Sequence, residues 1–206
     1  MPVGMAYITK GKMAAKRFGY ATAIVLAGGK SSRMGGIDKS MLDISGVPMI
    51  QFISQQLIDL FGEVLIGASD AEKYAFLGLR VIPDAEPGKG PLMGISSCLR
   101  ASSNDINFIM ACDIPVINEV FIASMLDMTA GADIVMPVRG GERYEPLYAV
   151  YRRSVADKAD LLLKQERLKI SDLFDIVKTR YVSFGDGDWY HNLNYREDYQ
   201  RYKENH

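Results

Sequence analysis

The chain has 206 residues, 48% of them hydrophobic, with 24 basic against 25 acidic side chains and a formal net charge of −1; it fits one globular domain with a substantial core, and no basic surface marks it as a general nucleic-acid binder. Two cysteines, Cys98 and Cys112, and two histidines, His191 and His206, give too little material for a zinc cluster or a disulfide framework, so a reducing cytoplasm is the expected setting. No apolar run approaches the roughly 20 residues that span a bilayer, and residues 1–20 lack the continuous apolar core of a signal peptide, so no membrane partner is expected.

In chain order, the basic, glycine-containing residues 1–20 are expected to form a flexible extension and residues 21–206 a single domain. Residues 22–27 are a short continuous apolar run, the pattern of a parallel strand buried on both faces. After a glycine-rich loop, Pro48 stands where a first helical turn begins, and Ile50, Ile53, Leu57 and Leu60 follow at helical spacing. Residues 63–67 read as a second strand, 71–77 as a short helix and 79–82 as a third strand, ended by Pro83 and Asp84. A proline- and glycine-rich loop over 83–91 leads into a helix over about 92–101, and 106–111 is a further strand. A helix over 119–129 follows, then strands over 133–137 and 146–151. Helical periodicity over 155–163 and 170–177, a strand over 180–184 and a polar helix over 195–202 close the chain. Strands alternating with helices predict an α/β fold: one three-layer Rossmann-like domain with a mostly parallel central sheet and right-handed crossovers.

Chemistry concentrates after the first strand, where residues 26–39 read L-A-G-G-K-S-S-R-M-G-G-I-D-K, with four glycines, two hydroxyls and three cations. Gly28 and Gly29 let backbone N–H groups turn toward an anion and a flat base approach the chain. Lys30, Arg33 and Lys39 supply the charge to neutralise a polyphosphate. Neither G-x-x-x-x-G-K-[ST] nor G-x-G-x-x-G occurs, and the near miss from Gly88 to Gly94 contains Pro91, so a P-loop or dinucleotide site is excluded. Residues 109–115, I-M-A-C-D-I-P, put Asp113 just past a strand, where open α/β sheets bind ligands. Asp113 is therefore a candidate Mg²⁺ ligand; a turn or helix N-cap aspartate is the alternative. Cys112 beside it lacks the nearby base that a nucleophile needs.

The loop over 26–39 resembles the signature of the sugar-nucleotidyltransferase-like superfamily, and within it the molybdenum cofactor guanylyltransferase (MobA-like) family, over about residues 21–199. The resemblance implies a transferase that moves GMP from GTP to molybdopterin with release of pyrophosphate, using Mg²⁺. It gives Lys39, Arg33 and Asp113 catalytic roles, with Asp113 as the metal carboxylate of a C-D-x-P element. It assigns nucleotide contacts to Leu26, Ala27, Gly28, Gly29, Lys39 and Asp113. Residues 84–94 resemble the D-x-x-x-x-x-G-P-L-A-G segment that lines the nucleotide pocket, which adds Asp84, toward the guanosine, and Gly90, Pro91 and Leu92; Met93 replaces an alanine.

Gly67 stands where the family often has an asparagine near the base, while Gly28, lacking a Cβ, leaves room for a purine. Glu145 in E-P-L-x-A, and Asn192 and Asn194 in N-x-N, lie toward the acceptor in the resemblance. Glu145 also fits an extended residue before proline, and either asparagine fits a cap of the last helix. Trp189 reads as core or rim, and the tyrosine-rich tail suits a subunit contact. Recipient molybdoenzymes or other cofactor-biosynthesis proteins are the partners implied. A related nucleotidyltransferase using CTP or another nucleotide on a different phosphorylated acceptor, and a non-catalytic nucleotide-binding protein, remain open.

Overall fold

Alternation along the central strand decides the architecture. A computed structural model describes residues 15–28, 38–185, 190, 193, 198 and 199. In it β1 (Phe18–Leu26) sends Ala21, Ala23 and Val25 into one core and Ile24 and Leu26 into another, all of them buried. A strand buried on both faces needs a helical layer on each. Helices α1 (Met49–Leu60) and α3 (Glu119–Asp127) supply the first layer, with Ile50, Ile53, Leu57, Ile122 and Met125 packed on the Ala23 side. Helices α2 (Pro91–Ala101) and α4 (Val155–Lys164) supply the second, with Ile95, Leu99, Ala159 and Leu162 on the Ile24 side. The expected three-layer α/β arrangement is the one the chain adopts.

The remaining strands are β2 (Asp43–Ile44), β3 (Val47–Pro48), β4 (Phe61–Gly67), β5 (Arg80–Ile82), β6 (Ile106–Ala111), β7 (Ile134–Arg139), β8 (Arg143–Tyr144), β9 (Tyr148–Arg152) and β10 (Thr179–Phe184). The main sheet runs β10-β7-β9-β6-β1-β4-β5, with β8 paired to β7. β1 lies parallel to β4 and β6, β4 to β5, and β7 to β10. β9 is antiparallel to both β6 and β7. The link between β7 and β9 is shorter than the dozen or so residues of a crossover, so β9 returns antiparallel.

Several details differ from the sequence reading. β1 starts at Phe18, whose ring lies 5.1 Å from that of Phe61, so the end of the expected extension belongs to the sheet. The helices expected over 71–77 and 170–177 are 3₁₀ turns, Glu72–Leu77 and Ile170–Asp175; the first is stopped by Gly78 at φ 65°, and such turns rarely run long. β7 continues past Pro137, because the β9 ladder covers Ile134 and Val135 and β8 pairs from Val138, leaving the residue without an N–H in the gap. The β2–β3 hairpin was not anticipated; its turn takes Ser45 to φ 53° and Gly46 to φ 87°, the left-handed pair that a tight hairpin requires. Of the closing helix over 195–202, only Asp198 and Tyr199 are described.

The amino-terminal side of the sheet is laced by Glu63. Its carboxylate accepts from Thr22 Oγ1 (2.8 Å), Ser103 N (2.9 Å) and Arg80 Nη1 (2.9 Å), joining β1, β4, β5 and the turn before β6.

Candidate active site

At the carboxyl side β1 and β6 end side by side. Leu26 is in register with Ala111, and Cys112 N donates to Leu26 O at 3.1 Å. The chain moves outward from β1 to β4 and β5 and then returns to β6 on the other side of β1. Open sheets leave a ligand crevice at such a reversal, and here it is a cavity of about 870 Å³. The described ends of the glycine motif, at Gly28 and Lys39, and the acid after β6 therefore face the same space.

Leu26, Ala27 and Gly28 form the β1 side of the wall. A Cβ on Gly28 would meet no described residue within 4 Å, so toward them this backbone stands open to an incoming group. Lys39 lies on a 3₁₀ turn, Lys39–Met41, capped by Asp38, and its Nζ donates to Asp113 Oδ2 at 3.3 Å. Both side chains are 18% exposed, accessible from the cavity yet screened from bulk water. Asp113 is not a helix cap: α3 is capped by Asn118, whose side chain accepts from Phe121 N at 3.0 Å.

Across the cavity, Gly90 at φ 78° leads into Pro91 at the first position of α2, an end without a side-chain cap. Gly90, Pro91 and Gly94 line the cavity, so the positive end of the helix dipole meets it. Leu92 departs from expectation: its side chain is fully buried in the core beneath the wall, because the second residue of α2 falls on the helix's apolar face. Asp84 lines the cavity, and burial holds its carboxyl above the ordinary 3.8. Gly67 also lines it; a Cβ there would lie 2.5 Å from Leu26 Cδ2 and 2.7 Å from Cys98 Sγ. Any larger residue there must push one of those side chains aside.

Burial and then Asp113 push the Cys112 thiol up to about 12, which leaves it protonated and closes the nucleophile reading. Glu145, expected toward the acceptor, is not part of the cavity wall. Its carboxylate accepts from Tyr190 OH at 2.7 Å and lies 3.2 Å from Arg139 Nε, an ion pair without hydrogen-bond alignment. Gly29, Lys30, Arg33, Trp189, Asn192 and Asn194 lie outside the described residues. Among the described residues no group of three or more acidic, histidine or cysteine side chains forms a metal cluster, and no helix is long and apolar enough to cross a membrane.

Among the residues at the site without a sequence assignment are three around Lys39. Asp38 and Ser40 line the cavity, and Tyr74 hydrogen-bonds Ser40 from below. The first two flank Lys39, and that adjacency was the available signal; Tyr74 sits in a short turn with no motif around it.

The profile of a family described as "MobA-like NTP transferase domain" matches residues 23–177. The chain is 35% identical over 163 residues to a Pelotomaculum thermopropionicum protein named "Probable molybdenum cofactor guanylyltransferase", covering 79% of this chain and 78% of that one. It is 30% identical over 189 residues to "Molybdenum cofactor guanylyltransferase" of Serratia proteamaculans, covering 89% and 94%. Among solved structures, "Molybdopterin-guanine dinucleotide biosynthesis protein A" from Archaeoglobus fulgidus superposes with a TM-score of 0.74 at 23% identity, over 89% of this chain and 97% of that one. At that identity the superposition speaks for the fold.

Proposed function

This chain belongs to the MobA-like NTP transferase family, and we propose that it transfers GMP from GTP to the terminal phosphate of molybdopterin, releasing pyrophosphate, in the cytoplasm. The observation that carries the reading is the Lys39–Asp113 pair, 3.3 Å apart, in the cavity beyond β1 and β6. An acceptor phosphate oxygen attacks the α-phosphorus while the bond to the β-phosphate oxygen breaks. That nucleophile is already anionic, so no general base and no covalent enzyme intermediate are needed, and positioning with charge stabilisation does the work.

The Lys39 ammonium neutralises phosphate charge, and Arg33 is assigned the leaving pyrophosphate by resemblance. Leu26, Ala27, Gly28 and Gly29 offer backbone to the nucleotide, and the open end of α2 at Gly90 and Pro91 adds its dipole. Asp84 faces the base: a carboxylate accepts two hydrogen bonds, matching the adjacent N1–H and amino donors of guanine. Asn192, Asn194 and Glu145 are kept as the acceptor side. Magnesium fits the donors present, because a single carboxylate such as Asp113 suits an ion that fills its shell with water and substrate phosphates. Bound there, it would supply Lewis-acid neutralisation of phosphate oxygens. The product would pass to a molybdoenzyme or another cofactor-handling protein.

Pyrophosphate release with Mg²⁺ and each of GTP, CTP, ATP and UTP, with and without molybdopterin, tests the reading. Release that needs both GTP and molybdopterin is expected. Release with CTP alone would make the chain a different nucleotidyltransferase, and GTP binding without release a non-catalytic binder.

A further inference from the structure

The short turn that carries Lys39 is bonded by a side chain from elsewhere in the sequence. Tyr74, on the 3₁₀ turn Glu72–Leu77, is 2% exposed. Its hydroxyl donates to Ala27 O at 3.1 Å and lies 3.0 Å from Ser40 Oγ. Ala27 closes β1 on one side of the glycine motif, and Ser40 follows Lys39 on the other. Ser40 Oγ also donates to Asp38 Oδ1 at 2.7 Å, which accepts Ser40 N at 3.0 Å as well. Lys73, the residue before Tyr74, pairs with the other oxygen of Asp38 and lies 5.0 Å over the Tyr74 ring. One short turn thus grips both ends of the segment that carries the cations.

Burial holds the Tyr74 hydroxyl above its ordinary value of 10.0, so its proton is present at neutral pH. Between them Tyr74 and Ser40 own two protons for three contacts, since a carboxylate and a carbonyl only accept. If Ser40 serves Asp38 and Tyr74 serves Ala27, the Ser40–Tyr74 contact is left without a proton. If Ser40 instead donates to Tyr74, the relay runs on to Ala27. If Tyr74 instead donates to Ser40, whose own proton then serves Asp38, Ala27 O is the group left without one. In every arrangement the Tyr74 hydroxyl gives its proton to one end of the segment, Ala27 O or Ser40 Oγ, and a phenylalanine removes that bond while the ring still fills its place.

We infer that Tyr74 is a positioning residue for the transfer reaction, which fixes the spacing between the end of β1 and the Lys39 turn so that the Lys39 ammonium stays opposite Asp113. The inference rests on the proposed nucleotide site. Tyr74 does not line the cavity, so it touches no substrate and acts through Ser40 and Ala27. A group that sets geometry for the reacting state affects turnover more than ground-state affinity.

The test is Tyr74→Phe in the full chain, with Ser40→Ala and the double variant, assayed for pyrophosphate release with GTP, Mg²⁺ and molybdopterin. Expected for Tyr74→Phe is a fall in kcat of about tenfold, the scale of a lost hydrogen bond that sets geometry, with KM for GTP within about twofold. Ser40→Ala added to Tyr74→Phe should lower kcat by less than about twofold more, because both act through one relay. A kcat within about twofold of wild type, a loss carried by KM, or multiplicative losses in the double variant would overturn the inference. If the wild-type chain releases pyrophosphate from no nucleotide, the proposed function fails separately. Amide exchange then decides about Tyr74: Ser40 N–H exchanging about tenfold faster in Tyr74→Phe supports the grip, and an unchanged rate refutes it.

Discussion

Gly67→Ala probes how tightly the cavity wall behind Leu26 is built. The added methyl would lie 2.5 Å from Leu26 Cδ2 and 2.7 Å from Cys98 Sγ, both inside the distance that real contacts tolerate. Cys98 is fully buried, whereas Leu26 is 8% exposed and borders the cavity, so Leu26 is the side chain with room to move, and that room is the cavity proposed for the nucleotide. Overpacking by one methyl costs about 1–3 kcal/mol, and in a domain of this size each kcal/mol lowers the thermal midpoint by about 2–4 °C. The midpoint should therefore fall by about 2–12 °C, and KM for GTP should rise by about tenfold from the intruding Leu26. Cys98→Ala in the same background removes one of the two clashes and should return part of the midpoint, giving a favourable coupling of about 0.5–1 kcal/mol in a double-mutant cycle. Thermal unfolding and steady-state kinetics on the four proteins measure both effects. An unchanged midpoint and KM in Gly67→Ala, or strictly additive effects with Cys98→Ala, would refute the close approach.

Asp113→Ala should lower kcat by about 10²–10³ with the unfolding midpoint nearly unchanged, and activity near wild type would remove Asp113 from the mechanism. Lys39→Ala should reduce pyrophosphate release while far-ultraviolet circular dichroism stays native; unchanged kinetics would refute its role. Asp84→Ala should weaken GTP by about 10- to 100-fold, the scale of hydrogen bonds to a charged group, and shrink the preference for GTP over ATP in calorimetric titration; an intact preference would move base recognition elsewhere. Burial raises the Glu63 carboxyl, but Ser103, Thr22 and Arg80 outweigh it and hold it below 4.5. Its contribution to stability is therefore present above that value and lost as pH falls through the lowered one. Glu63→Gln should flatten the acid side of a midpoint-against-pH curve, and an unchanged slope would refute the assignment.

Local pattern carried most of the architecture because β1, β6, α1 and α4 each announce their burial in their own residues. β1 is apolar on both faces, and β6 was legible to the residue for the same reason. Of the candidate site, Gly28 and Asp113 stood beside strand ends, where contiguous chemistry is legible, and the adjacency of β1 and β6 brings them to one cavity with Lys39. What was hidden depends on distant partners. Nothing around Tyr148 says that β9 will enter the sheet antiparallel, because that follows from the short link behind it. The expected strand over 133–137 stopped at Pro137, and only the handover from β9 to β8 lets β7 pass through it. Leu92 stood inside a pocket motif yet turns to the core, since the helix period outranks motif membership. Tyr74 is separated from Ser40 by 34 residues and belongs to no local pattern.

Asn118, not Asp113, holds the start of α3, and this division of labour frees position 113 for experiment. The only backbone tie of that residue among the described contacts is its carbonyl, which accepts from Leu193 N at 2.9 Å and is indifferent to the side chain. A full substitution series at 113 would leave the neighbouring helix anchored. Differences in rate along such a series then report the charge and reach of the side chain at 113 and its pairing with Lys39, rather than the loss of a helix cap.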